Sequence, residues 1–144
     1  MFDILLVEDS ISEAELTRRA LQKCEFKVRV THAHDGLEAV EYLKETIEAK
    51  QQPMPDLILL DLKMPRLNGF DFLKQLRSDH SLKHLLVIVL TTSGRDEDIL
   101  ACYQEGANAY LVKPVELQQF YEMIQAMGRF YYSVAKRPPQ VNGG

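Results

Sequence analysis

The sequence predicts a single α/β domain, a doubly wound (βα)5 unit whose parallel sheet carries helices on both faces. Three observations point there. Five short β-rich runs alternate with five segments of helical period. The third and fourth runs, Leu57 to Leu60 and Leu86 to Leu90, are almost wholly Leu, Ile and Val. Continuous apolarity over so few residues suits a parallel strand buried on both faces. The chain also has 144 residues, enough for one core and too few for two ordinary ones.

The elements follow in order. The first strand is Ile4 to Val7. Ser12, with Glu15 three residues on, reads as a capping box opening the first helix, whose apolar face is Leu16, Ala20 and Leu21. Phe26 to Thr31 is a weaker second strand. The second helix carries Leu37, Val40, Leu43 and Ile47 at spacings of three and four. A polar, proline-rich stretch, Lys50 to Pro55, reads as a surface loop before the third strand. The third helix runs from about Phe70 to Arg77, with Phe72, Leu73 and Leu76 inward. The fourth runs from about Asp96 to Glu105, and Gly106 stands where a glycine ends a helix. Ala109 to Val112 is the fifth strand. The fifth helix follows Pro114, with Leu117, Phe120, Ile124, Met127 and Tyr131 on one stripe. Residues 1–132 form the expected domain. Residues 133–144 lack an apolar period and are expected to be a flexible tail.

Composition narrows the function. Apolar residues make up 46% and charged residues 26%, as in a globular protein. The net charge of −4 gives no basic footprint for nucleic acid. No apolar run approaches the roughly 20 residues of a membrane span. Met1 to Val7 has no basic region of a signal peptide. Cys24 and Cys102 stand far apart, as two free thiols in a reducing cytoplasm would. His32, His34, His80 and His84 lack the partners of a zinc set and read as solvated side chains.

In an open parallel sheet, sites form at the carboxyl ends of the strands. Glu8 and Asp9 follow the first strand, Asp61 the third, Thr91 and Thr92 the fourth, and Lys113 the fifth. Three acids, hydroxyls and one ammonium are thus expected on one sheet edge. Two carboxylates about 4 Å apart repel by roughly 4 kcal/mol at an effective dielectric near 20. A divalent cation would offset this, and an all-oxygen set with few protein ligands suits Mg²⁺. An aspartate can attack phosphorus to give an acyl phosphate. That transfer needs little beyond positioning and charge neutralisation.

Four segments carry a resemblance: Leu5-Leu6-Val7-Glu8-Asp9, Leu59 to Gly69 around Asp61, Leu90-Thr91-Thr92, and Gly106 to Pro114 with Tyr110 and Lys113-Pro114. In order and at this spacing, they resemble the receiver domains of two-component response regulators, over about residues 1 to 130. The resemblance implies a flavodoxin-like sheet. It implies that Asp61 accepts a phosphoryl group from a sensor histidine kinase or phosphotransfer protein. Glu8, Asp9, Asp61 and the Lys63 carbonyl would hold Mg²⁺. Lys113 and Thr91 would meet the phosphoryl group, Tyr110 would turn inward, and the Lys113-Pro114 bond would be cis.

There are departures from the family pattern. The interval from Asp9 to Asp61 is long, with the extra residues around Glu45 to Pro55. Thr92 stands where a small residue is usual, and Lys63 and Ser93 stand where the family tunes hydrolysis. The long segment before the third strand, the acidic Asp96-Glu97-Asp98 and the aromatic Phe130-Tyr131-Tyr132 resemble the stand-alone regulators of phytochrome kinases. No output domain is expected after Phe130, so signalling would pass by protein contact in the cytoplasm. Tyr121, Met123, Phe130 and Tyr132 lie partly off the stripe of the last helix, which suggests a partner or homodimer surface on the fourth and fifth helices.

Other readings compete. An aspartyl-nucleophile phosphohydrolase would want an acid where Lys63 stands. A flavin module would be repelled at Glu8-Asp9. A pseudo-receiver adaptor would not need Glu8, Asp9, Asp61, Thr91 and Lys113 intact.

Overall fold

The computed structural model describes residues 1–49, 53–64 and 66–139. The strands are β1 (Phe2–Val7), β2 (Val28–Ala33), β3 (Leu57–Leu60), β4 (Val87–Thr91) and β5 (Ala109–Val112). The helices are α1 (Ile11–Gln22), α2 (Gly36–Ala49), α3 (Gly69–Ser78), α4 (Asp96–Gln104) and α5 (Leu117–Arg129), the last continued by a π-helical turn, Phe130–Val134. All strand pairs are parallel, in the order β2-β1-β3-β4-β5. The chain direction across the sheet reverses between β1 and β3, which opens a crevice at their carboxyl ends.

β3 is apolar throughout, and β1 and β4 are apolar but for Asp3 and Thr91, because successive side chains enter different cores. Leu5, Val7, Ile58, Leu60, Val87 and Val89 point to one face, against Val40 and Leu43 of α2, Phe72, Leu73 and Leu76 of α3, and Cys102 of α4. Ile4, Leu6, Leu57, Leu59, Ile88 and Leu90 point to the other, against Ala20 and Leu21 of α1 and Phe120, Ile124 and Met127 of α5. Neither face meets solvent, so neither could carry the polar alternation of a half-exposed strand.

Helix ends are set locally. The N-cap of α1 is Ser10, whose hydroxyl accepts the Glu13 N–H at 3.2 Å. The expected cap at Ser12 therefore lies one residue inside the helix. Ser10 also has a glutamate three residues on, so the same pattern occurs twice, and the earlier copy wins because β1 ends at Val7. Asn68 caps α3 by accepting the Asp71 N–H at 3.0 Å. Gly106 ends α4 with φ of 99°. The Ala107 N–H reaches the Cys102 carbonyl and the Gly106 N–H that of Tyr103, the paired bonds of a Schellman ending.

Three expectations about burial need correction. Leu37 is 37% exposed, and the buried face of α2 is Ala39, Val40, Leu43 and Thr46. Leu117, the first residue of α5, is 50% exposed. Met54 is buried, so the segment before β3 is not wholly superficial; Lys50 to Gln52 lie outside the described residues. Beyond α5, Tyr132 stacks on Phe26 at 4.1 Å and meets Phe2 edge-on. The Arg137 guanidinium lies over Phe2 and Tyr132 and donates to the Tyr131 carbonyl.

Candidate functional site

Strand register assembles the site. Val7 pairs with Leu60, so the next residues, Glu8 and Asp61, emerge side by side. The Asp61 N–H donates to the Val7 carbonyl at 3.0 Å. Thr91 pairs with Val112, and the Lys113 N–H donates to the Thr91 carbonyl at 2.7 Å. Glu8, Asp9 and Asp61 each bring a carboxylate oxygen within 4.8 Å of the others. Glu8 and Thr91 are buried, Asp61 is half-buried and Asp9 is exposed.

Lys113 enters this cluster from the β5 side, with its side chain only 8% exposed. Its ammonium donates to Glu8 Oε1 at 2.9 Å and lies 3.6 Å from Glu13 Oε2. Burial pushes the Glu8 carboxyl up to about 7; the hydrogen bond and charge of Lys113 pull against that, while the Asp61 charge adds to the rise. Burial would lower Lys113, but the hydrogen bond and charge of Glu8, with Asp61 and Glu13, hold it above its ordinary value. These two shifts favour opposite states of the pair. We read it as ionised, because one ammonium faces several carboxylates at short range. The site remains short of positive charge, and its all-oxygen donor set fits a hard divalent cation.

The turn bearing these acids is held at several points. The Glu8 N–H donates to the Ala33 carbonyl at 3.0 Å, and His32 Nε2 lies 2.7 Å from the Glu8 carbonyl oxygen. His32 is therefore not simply a solvated histidine. Its signal in the sequence would have been the β1–β2 register, which sets it beside Leu6 at the end of β1. The Ser10 N–H donates to Glu8 Oε2 at 3.3 Å. The Leu62 N–H donates to Asp61 Oδ1 at 2.9 Å.

The loop after β3 is braced from two sides. Gly69 sits so close that a Cβ there would lie 2.7 Å from the Asp61 carbonyl oxygen. A Cβ on Gly36 would lie 2.4 Å from the Leu67 carbonyl oxygen, whose partner is the Gly36 N–H. Arg66, with φ of 64°, turns its guanidinium onto Asp35 at 2.6 Å. Asp35 also accepts the Glu38 N–H at 2.9 Å, capping α2. Lys63 is exposed on this loop; Pro65 lies outside the described residues.

On the other side of Asp61, the Tyr110 hydroxyl donates to the Ser93 carbonyl at 2.8 Å, and the Ser93 hydroxyl to Asp98 at 2.6 Å. The loop after β4 is thus tied to both β5 and α4. No peptide bond among the described residues is cis, so Lys113-Pro114 is trans, contrary to what the resemblance implied. The trans form is the lower-energy isomer even before proline, and Lys113 reaches Glu8 from it.

The response regulator receiver domain family matches residues 4–125. The chain belongs to this family. Response regulator Rcp1 of Synechocystis sp. is 34% identical to this receiver over 135 residues, 94% of this chain and 92% of Rcp1. The Mn²⁺-bound form of Rcp1 superposes with a TM-score of 0.85 at 33% identity, covering 96% of this chain and 100% of that one. The phosphorylated cyanobacterial phytochrome response regulator RcpA gives 0.87 at 35% identity, covering 96% and 99%. Chemotaxis protein CheY1 of Helicobacter pylori is more distant, 29% identical over 124 residues, 86% of this chain and 94% of CheY1. The receiver is a signalling protein of two-component systems, switched by phosphorylation on an aspartate. No helix among the described residues is long and apolar enough to cross a membrane.

Proposed function

We propose that Asp61 is the phosphoryl acceptor of this receiver and that Glu8, Asp9, Asp61 and the Lys63 carbonyl hold Mg²⁺. The observation that carries this reading is the meeting of the three carboxylates beside Lys113 at the strand ends. A carboxylate oxygen of Asp61 attacks the phosphorus of a phospho-histidine. The O–P bond forms, the P–N bond breaks, and the imidazole nitrogen leaves with its electron pair. Bound Mg²⁺ supplies charge neutralisation at the acceptor. Lys113 pairs with a phosphoryl oxygen, and the Thr91 hydroxyl donates to another. Movement of Thr91 frees the space into which Tyr110 turns, exchanging its bond to Ser93. The receiver catalyses only its own phosphorylation and slow dephosphorylation.

The phosphodonor in this reading is a sensor histidine kinase of the phytochrome class or a phosphotransfer protein, in the cytoplasm. The likeness to RcpA over most of both chains supports it. Residues 1–132 act as the receiver unit; the expected tail is fastened to it through Arg137, on Tyr131, Phe2 and Asp56, and residues 140–144 lie outside the described residues. The exposed Leu100, Tyr103 and Val112, on α4 and the edge strand β5, support self-association of the switched form.

Titration with beryllofluoride and Mg²⁺, followed by amide NMR, tests the site. Shifts centred on Asp61, Thr91, Tyr110 and Lys113 are expected, and their absence in Asp61→Asn. Equal shifts in Asp61→Asn would refute the assignment.

A further inference from the structure

The Lys113 ammonium is ion-paired with Glu8 and Glu13 rather than with Asp61. Its two ion-pair partners within 4.0 Å among the described residues are Glu8 at 2.9 Å and Glu13 at 3.6 Å. Glu8 is buried and belongs to the acidic pair. Glu13 does not. It stands in the first turn of α1, with its side chain 46% exposed. Its place relative to the N-cap Ser10 is that of the acid in a capping box, which would turn back to the cap N–H. Here the Ser10 N–H goes to Glu8 instead, and the Glu13 carboxylate faces the ammonium. Glu13, Lys113 and Thr92 also line one open groove, with Leu16, Pro114 and Leu117 between α1 and the start of α5.

We propose that Glu13 is a competing counter-ion for Lys113, holding the ammonium on the β1 side of the site and so limiting its transfer to a phosphoryl group on Asp61. The inference rests on Asp61 and Lys113 having the roles proposed above. The effect is electrostatic: the Glu13 carboxylate stabilises the position of Lys113 beside Glu8. Glu13 is a positioning residue that acts through Lys113. A pair whose acid is this exposed shifts an equilibrium by about two- to five-fold.

Acetyl phosphate with saturating Mg²⁺, followed by intact mass, reads the effect. Glu13→Gln is expected to lower the KM for acetyl phosphate and tighten beryllofluoride binding by about two- to five-fold. Both differences should collapse in 1 M salt, where the screening length is about 3 Å. Glu15→Gln, the same charge change on α1 but paired with Arg18 and Arg19, should match wild type. A loss of the cap alone would lower the melting temperature of Glu13→Gln without a salt-dependent change in KM. Unchanged KM and unchanged beryllofluoride affinity in Glu13→Gln, in a wild type that is labelled at Asp61, would overturn the inference. A wild type that takes no label would instead overturn the reading beneath it.

Discussion

Residue by residue, the site is set as much by backbone closeness as by charge. Gly69 is the clearest case. With Asp61 carbonyl oxygen and Leu62 Cα both under 3 Å from a virtual Cβ, a methyl there must push the acceptor strand end. Gly69→Ala is expected to cost about 1–3 kcal/mol in urea unfolding, as overpacking does, and to slow labelling by acetyl phosphate. Unaltered stability would mean that the loop yields without moving Asp61. The acids, Thr91 and Lys113 were legible in the sequence because they terminate strands of plain apolar character. Glu13 and His32 were not, since each matters through a contact across elements. His32 meets the Glu8 carbonyl only because β2 lies beside β1 in this register.

Among the elements, α1 and α2 show how local signals are decided by their neighbours. Two Ser-x-x-Glu patterns overlap at the start of α1, and sequence alone favoured the later one. The structure uses Ser10, whose hydroxyl accepts the Glu13 N–H. Ser10→Ala is therefore expected to cost about 1 kcal/mol, and Ser12→Ala less than about 0.5 kcal/mol, by denaturant melts. At the start of α2, the Arg66 hydrogen bond holds the Asp35 carboxyl below the usual carboxylate range, against the effect of burial. A depressed carboxylate stabilises the fold above its unfolded pKa, near 4, and loses that contribution as pH falls through its folded value. Asp35→Asn keeps a competent cap and removes the charge. Its cost should be at most about 1 kcal/mol at pH 7 and should vanish on acidification below about pH 4. A cost that persists at pH 2 would place the stabilisation in the cap rather than the ion pair.

For the whole molecule, the order of elements was readable because both sheet faces are buried, which left the central strands, Asp3 apart, no polar residue until the site begins. The limits of α5 were less readable. Tyr132 resembled a surface aromatic by its spacing, yet the π-helical turn swings it onto Phe2 and Phe26 at the opposite end of the sheet from Asp61. That gives one side of its ring partners within the chain, while the residue stays 39% exposed. Leu100, Tyr103 and Val112 remain exposed. Sedimentation at micromolar concentration should show a heavier species with beryllofluoride than without. A monomer in both conditions would dispose of the self-association proposal.

All of this depends on a covalent event at one carboxylate. Incubation with acetyl phosphate and Mg²⁺, read by intact mass, measures it directly. The expected result is one labile phosphoryl group, absent from Asp61→Asn and absent when EDTA removes the cation. Label that survives in Asp61→Asn, or forms unchanged in EDTA, would contradict the account.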